Sequence, residues 1–328
     1  MSEDYSNKNV SILNVGNVLV DIEISISNKQ LSEIPIQKGR AIEINSDELA
    51  FYLSKYKSQI TDQYLGGSIF TTAATSSIFN INNLFLGSVG NDNNSKFLID
   101  IMNTYPIKTF LNVDPQNTGC CLIFLTPDKE RTMAACPGAS GQLTLANFTE
   151  TEDFDYIFSD LYSLNSVINK KTISHLLSSN KGLILSLSDI SVMKKHMDFI
   201  KKYSDQIKII AGNEDEMKYL EQAMHSSLIS ASKKNNKIYI ITKGSSGSLI
   251  LHKGIEYVSE AIPTEVTSLN GAGDTFLGAF IGCYMETEDI QYSGNVANYF
   301  SYVSVQQNNA CLKFSSLHNT KNAAKAAF

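Results

Sequence analysis

The chain is poor in the side chains that announce a metal or a disulfide. Its five histidines are scattered and form no HxxxH or HExxH pair. Its five cysteines, Cys120, Cys121, Cys136, Cys283 and Cys311, are odd in number and lack metal-site spacing. Most stand in apolar surroundings, so buried free thiols are expected. No apolar run approaches the length of a membrane span. The opening residues 1–8 are polar and acidic and do not read as a signal peptide. With reduced thiols, these absences make a soluble cytoplasmic protein the expectation. Neither GxGxxG nor GxxxxGK(S/T) occurs, which removes a Rossmann dinucleotide fingerprint and a P-loop. Positive charge is in deficit as well. A formal net charge of −6 argues against a general nucleic-acid binder, but not against a nucleotide held in a small basic pocket.

What is present suits a large α/β protein. The 328 residues, 43% hydrophobic and 18% charged, suffice for one big domain or two. From about residue 155 strand and helix signals alternate: strands at 156–162, 182–187, 207–211 and 237–242, helices at 166–179, 191–203 and 214–223. That rhythm implies right-handed crossovers and a parallel sheet covered on both faces. The first part is less regular. Residues 10–20 read as one buried strand, with Asn17 and Asp21 leading out of it. Residues 22–44 break into short apolar pieces around Pro35 and Gly39, as a small antiparallel unit would. A helix starts near Ser46, and Leu65-Gly66-Gly67-Ser68 runs into a second helix of small residues ending near Phe79. A strand at 84–89 and a helix at 95–103 follow. Residues 107–112 and 119–135 hold three more short strands, with Arg131 on the last. A final amphipathic helix at 288–307 carries Asn298, and 321–328 reads as a frayed helical tail.

Ligands on such sheets bind at the carboxyl ends of the strands. Three marked stretches fall there: Gly212-Asn213-Glu214-Asp215-Glu216, Thr242-Lys243-Gly244, and Asn270-Gly271-Ala272-Gly273-Asp274. The last is the most informative. It is a turn of small residues before a helix whose apolar positions are Phe276, Leu277, Phe280, Ile281 and Tyr284. The glycines allow close approach of a ligand to backbone. The first N–H groups of the helix have no internal partner and, with the dipole, form an anion site. Asp274 then lies against a bound phosphate. A carboxylate there makes sense as the acceptor of a proton from an attacking hydroxyl, and the dipole is expected to keep it ionised. A helix cap is the other reading of the same residue. Gly66-Gly67 as an ordinary turn, Glu214–Glu216 as dipole partners and Arg131 as a hairpin charge stand likewise open.

Taken together, the Asn-Gly-Ala-Gly-Asp-Thr-Phe stretch, Gly66-Gly67-Ser68, Asn213 with Glu216, Thr118-Gly119 and Glu130-Arg131-Thr132 resemble the ribokinase (PfkB-type) family of carbohydrate and nucleoside kinases. The resemblance runs from about residue 10 to residue 311 and is strongest to adenosine-kinase-like members. It implies a single ribokinase-like domain. A doubly wound, mostly parallel sheet would be flanked by helices, with a small β-sheet lid from about 19–45 and 107–136. The implied reaction is ATP-dependent phosphotransfer to the primary hydroxyl of a nucleoside or sugar, an adenosine-like ribonucleoside first. The resemblance makes Asp274 the general base and Gly271, Ala272 and Gly273 the anion hole. It gives Asn17, Asp21, Gly66, Gly67, Ser68 and Arg131 to the substrate, and Asn213, Glu216, Thr242, Gly244, Asn270 and Asn298 to the ATP side. Glu216 would act near Mg²⁺ through water. Ser268-Leu269, Thr71 and Asn309 depart from the family's usual residues. The first pair leaves a K⁺ requirement open. A kinase of ribose or a ketohexose, and a non-catalytic sugar- or nucleotide-binding relative, are the alternatives. A phosphorylated substrate would want basic residues near the lid, with Lys29, Lys38 and Arg40 as candidates. Monomer and homodimer are both compatible, since an exposed lid edge can pair across a dimer.

Overall fold

A computed structural model describes residues 10–148 and 153–328; the polar opening segment 1–8 lies outside the described residues. In chain order the strands are β1 Val10–Val15, β2 Leu19–Ser25, β3 Ala41–Glu43, β4 Ile60–Gly66, β5 Ile81–Gly90, β6 Lys108–Asp114, β7 Cys120–Leu125, β8 Arg131–Cys136, β9 Tyr156–Asp160, β10 Gly182–Ser186, β11 Ile207–Asn213, β12 Ile238–Thr242, β13 Ser248–His252 and β14 Ile255–Ser259. Nine form a large sheet in the order β14-β13-β12-β11-β10-β9-β1-β5-β6, and five a small one in the order β3-β8-β7-β2-β4. The large sheet is parallel from β6 to β12 and ends in the antiparallel pairs β12–β13 and β13–β14. Its central strands are apolar on both faces (Ile12, Leu13, Leu84, Phe85, Ile157, Phe158, Ile184 and Leu185 are all buried), as a sheet covered by helices on both sides requires. The chain leaves β1 first toward β5 and β6, then returns to the other side through β9 to β12. That reversal makes the carboxyl end of β1 and β9 the natural ligand crevice of a doubly wound sheet.

The run 10–20 is not one strand. It breaks at Gly16-Asn17, where β1 leaves the large sheet and β2 begins the small one. A side chain on Gly16 would collide with Ser163 Oγ, so the exit is tight. The apolar run continues across the break because both strands bury apolar residues, which hides the change of sheet.

The small sheet also differs from the expected antiparallel unit. β2–β4 and β7–β8 are antiparallel, but β2–β7 and β3–β8 are parallel. The strand expected near 107–112 does not join it. As β6 it pairs in parallel with β5 and closes the edge of the large sheet. Its place is taken by β4, which directly precedes Gly67. The terminal helix runs Phe314–Ala327, not merely 321–328, and buries Leu317, Thr320 and Ala324, so it is docked rather than frayed. All five cysteines are free and buried.

Candidate active site

The helix Ala272–Thr287 begins at Gly271, whose φ of 72° is left-handed. A side chain there would strike the Ala310 carbonyl, so only glycine closes this turn. Space beside Gly273 is open, with nothing within 4 Å of where a Cβ would stand. The Ala272 N–H is drawn back to Leu269 O at 3.3 Å, and the Thr275 N–H returns to Gly271 O at 2.8 Å. Of the three expected anion-hole residues, Gly273 therefore has the most open approach. The helix packs along the helix Ser68–Ser76, where Gly278 fits beneath the Thr72 carbonyl and Thr72 Oγ1 donates to Asp274 O at 3.2 Å. Asp274 is thus set by two helices at once.

Protein surrounds the Asp274 carboxylate even though part of the residue faces the cleft. This desolvation raises its pKa to about 7, with repulsion from Asp160 adding to it and a hydrogen bond from the Ser68 hydroxyl opposing it. The expectation that the helix terminus holds Asp274 fully ionised is therefore corrected, since burial brings its pKa close to neutrality. A carboxylate balanced near neutrality is suited to accept a proton.

Asp21 lies across the cleft on β2. Its carboxylate rests directly on the Cα of Gly66, and Gly67, at φ 105°, sits against the Asn17 carbonyl. The glycine pair thus makes room for Asp21 and for the β1–β2 exit. Asn270 Nδ2 reaches both Asp21 Oδ2 and Tyr64 Oη at 3.5 Å, so the turn that carries Asp274 also touches the small sheet. Burial raises Asp21 to about 7, against the Asn270 hydrogen bond and the Arg131 charge. Asn17 is held by its neighbours: Asn169 Nδ2 donates to its Oδ1 at 3.2 Å.

Side chains alternate along β2, β4, β7 and β8, so one face of the small sheet gathers Leu19, Asp21, Glu23, Tyr64, Cys121, Ile123, Arg131, Met133 and Ala135. Tyr64, Cys121, Ile123 and Ala310 are buried together there. Arg131 is drawn to Glu23 on the same face. Its Nη2 lies 3.7 Å from Glu23 Oε2, with both side chains largely buried. Lys38 is tied to Asp128 at 2.6 Å, while Arg40, mostly exposed, only approaches Asp189 at 4.0 Å.

The other side of the crevice is built at the ends of β11 and β12. Asn213 and Glu216 form a closed capping box: Asn213 Nδ2 donates to Glu216 Oε1 at 2.7 Å, Asn213 N to Glu216 Oε2 at 3.0 Å, and Glu216 N to Asn213 Oδ1 at 2.9 Å. Burial and the nearby Asp189 raise the Glu216 pKa, against its hydrogen bonds from Asn213. Both Glu216 oxygens are engaged, so contact with a metal ion through water suits it better than direct ligation. Among the described residues no group of three His, Cys, Asp or Glu side chains forms a metal cage. Gly244, at φ 54°, faces open space, which leaves its backbone approachable, and Thr242 Oγ1 lies 3.5 Å from Gly212 O. Asn298 is buried, and its Nδ2 donates to Ser259 O at 2.8 Å and Ser248 Oγ at 3.3 Å; this amide end braces strands.

Two groups escape sequence reasoning. Tyr64 comes into the cleft as the cross-strand partner of Asp21. Asp160, buried at the end of β9, accepts from Ser163 N at 2.8 Å and bears on Asp274. Tyr64 stands two residues before Gly66, a usable local signal; nothing local marks Asp160. At the departures, Ser268 Oγ accepts from Asn270 N at 3.1 Å, Leu269 is 70% exposed, and Thr71 is buried in its helix.

The family model described as pfkB family carbohydrate kinase matches residues 40–316. The adenosine kinase of Dictyostelium discoideum is 24% identical over 330 residues, covering 92% of this chain and 96% of that protein. The adenosine kinase of Schizosaccharomyces pombe is 25% identical over 239 residues, covering 64% of this chain and 69% of that one. Among solved structures, a probable sugar kinase from Rhizobium etli superposes with a TM-score of 0.85 at 21% identity, covering 98% of this chain and 99% of that one. The adenosine kinase of Sinorhizobium meliloti superposes at 0.83 and 18% identity, covering 98% and 100%.

Proposed function

This chain belongs to the pfkB family of carbohydrate kinases, and from that premise we propose that it is an ATP-dependent kinase of a ribonucleoside of the adenosine type, with Asp274 as its general base. The observation that carries the reading is the crevice itself. Asp274, at a helix N-terminus, faces Asp21 on the small sheet, and Asn270 spans the two. Asp21 accepts hydrogen bonds from two ring hydroxyls, which fixes the primary hydroxyl toward Asp274. Asp274 takes the proton of that hydroxyl as it attacks. The N–H groups at the start of the helix, that of Gly273 foremost, meet the charge that develops on the transferred group. ATP supplies that group; Glu216 would help hold Mg²⁺ through water, and the ion would offset the charge of the phosphates. Gly244 and Thr242 bound the nucleotide side. The small sheet acts as a lid that keeps water from competing with the alcohol. One inserted lid in one domain, as monomer or as dimer, serves this chemistry.

The wall of Tyr64, Ile123 and Met133 beside Asp21 favours an apolar base over a bare sugar. Lys38 is engaged by Asp128, which removes one of the charges a phosphorylated sugar would want. Calorimetry and turnover on Asp274→Asn test the assignment. The variant is expected to bind adenosine and a non-hydrolysable ATP analogue with near-normal affinity while losing product formation. Full turnover in Asp274→Asn would end the reading of Asp274 as base.

A further inference from the structure

A cavity of about 810 Å³ opens between the helices Val167–Leu177 and Ile190–Lys202, and no residue of the crevice described above lines it. Its size is that of an ordinary small-molecule site. Lys170, Lys171 and Lys202 line it, and no aspartate or glutamate does. Among the described residues none of the three is held in an ion pair. In a chain of formal net charge −6, this is a local reversal of sign. The rest of the lining mixes Leu164, Val167, Leu177 and Tyr203 with the polar Ser174, Ser178 and Gln206; Val167, 67% exposed, offers the most open apolar surface.

Helix Ile190–Lys202 contributes His196. It lines the cavity yet is only 7% exposed. One ring nitrogen, Nε2, lies 3.0 Å from Asn165 Oδ1. The other, Nδ1, is buried and has no partner among the described residues. The helix departs from helical geometry at this residue, with φ −120° and ψ 16°. Nδ1 has essentially no exposed surface, so it is an unpaired group inside the protein and not a contact offered to the groove.

We propose that this groove is a second, non-catalytic binding site for a phosphate-bearing small molecule with an apolar ring, in class a nucleoside monophosphate. The lysines, compact point charges, take the phosphate. The apolar lining takes the ring, which inorganic phosphate alone lacks. The site is independent of which alcohol the enzyme phosphorylates.

Photolabelling of the full chain with 2-azido-AMP, followed by peptide mapping, locates the ligand without turnover. Label is expected within residues 164–178 or 196–206. It should persist when excess adenosine and a non-hydrolysable ATP analogue are present. Lys170→Glu combined with Lys202→Glu should lower that label by about tenfold, with circular dichroism and turnover at saturating substrate unchanged. Should charge reversal disturb the fold, Lys170→Gln combined with Lys202→Gln is the substitute and should lower it by about threefold. Label confined to peptides of the crevice, or groove label undiminished in the folded variants, overturns the proposal. Loss of phosphotransfer would not alter the groove label, so the two readings fail separately.

Discussion

Two carboxylates, Asp21 and Asp274, are each raised to about 7, and burial is the first cause for both. The consequences for activity and stability run in opposite directions. The base must be ionised, so kcat/KM should rise with pH through about 7, measured at constant ionic strength. A carboxyl whose folded pKa lies above its unfolded value stabilises the fold below the unfolded value, near 4, and that stabilisation is lost as pH rises through about 7. Between pH 5 and pH 8 the thermal midpoint should therefore fall from these two sites while kcat/KM climbs. Asp274→Asn should lose about 10³-fold in kcat, gain a few degrees in thermal midpoint at pH 8, and flatten part of the stability decline; scanning calorimetry across pH reads this. Asp21→Asn should lower kcat/KM by about 30-fold, the equivalent of about 2 kcal/mol for charge-assisted hydrogen bonds. Asp274 was legible in the sequence because its turn is local and its spacing shows in one stretch. Its position near neutrality was not, because burial and Asp160 arrive from other elements.

The helix Ala272–Thr287 is apolar nearly all round, and Thr275 through Cys283 are buried, so its position is dictated by packing rather than by an exposed face. Gly278 lets it close onto the helix Ser68–Ser76, and a methyl group there would press on the Thr72 carbonyl. Gly278→Ala should cost about 1–3 kcal/mol by overpacking, lowering the thermal midpoint by several degrees, and should also lower kcat because Thr72 no longer holds Asp274. A variant of unchanged stability and kcat would show that the two helices yield freely. The alternating strands and helices after residue 155 were legible because each strand is a short apolar run between helical patterns. The break at Gly16-Asn17 was not. An apolar run looks the same whether it stays in one sheet or passes into another, and partner choice for β4 and β6 is decided by tertiary pairing.

At the scale of the whole molecule, a large sheet meets a small one at a shared crevice. The crossings between them carry Gly16, Gly67, Gly119 and Gly138, of which Gly67 and Gly138 have positive φ. As a lid on the proposed kinase site, the small sheet is expected to close over bound substrates. Hydrogen exchange should slow in β2 and β7 when adenosine and a non-hydrolysable ATP analogue are added together, with β10 unchanged. Equal protection everywhere would instead mark general stabilisation rather than closure. The meeting of Asp21, Tyr64, Asn270 and Asp274 brings together residues more than 200 positions apart and is a product of this topology, which is why only its separate pieces were readable in the chain.

The most direct test of the central claim is the mass of the product formed from ATP and Mg²⁺ with adenosine, inosine, guanosine, ribose and fructose in turn, with and without K⁺. The account predicts one added phosphate on a ribonucleoside, adenosine foremost, and none with Asp274→Asn. A phosphate on a free sugar alone, or on no acceptor while the folded protein binds ATP, would contradict it.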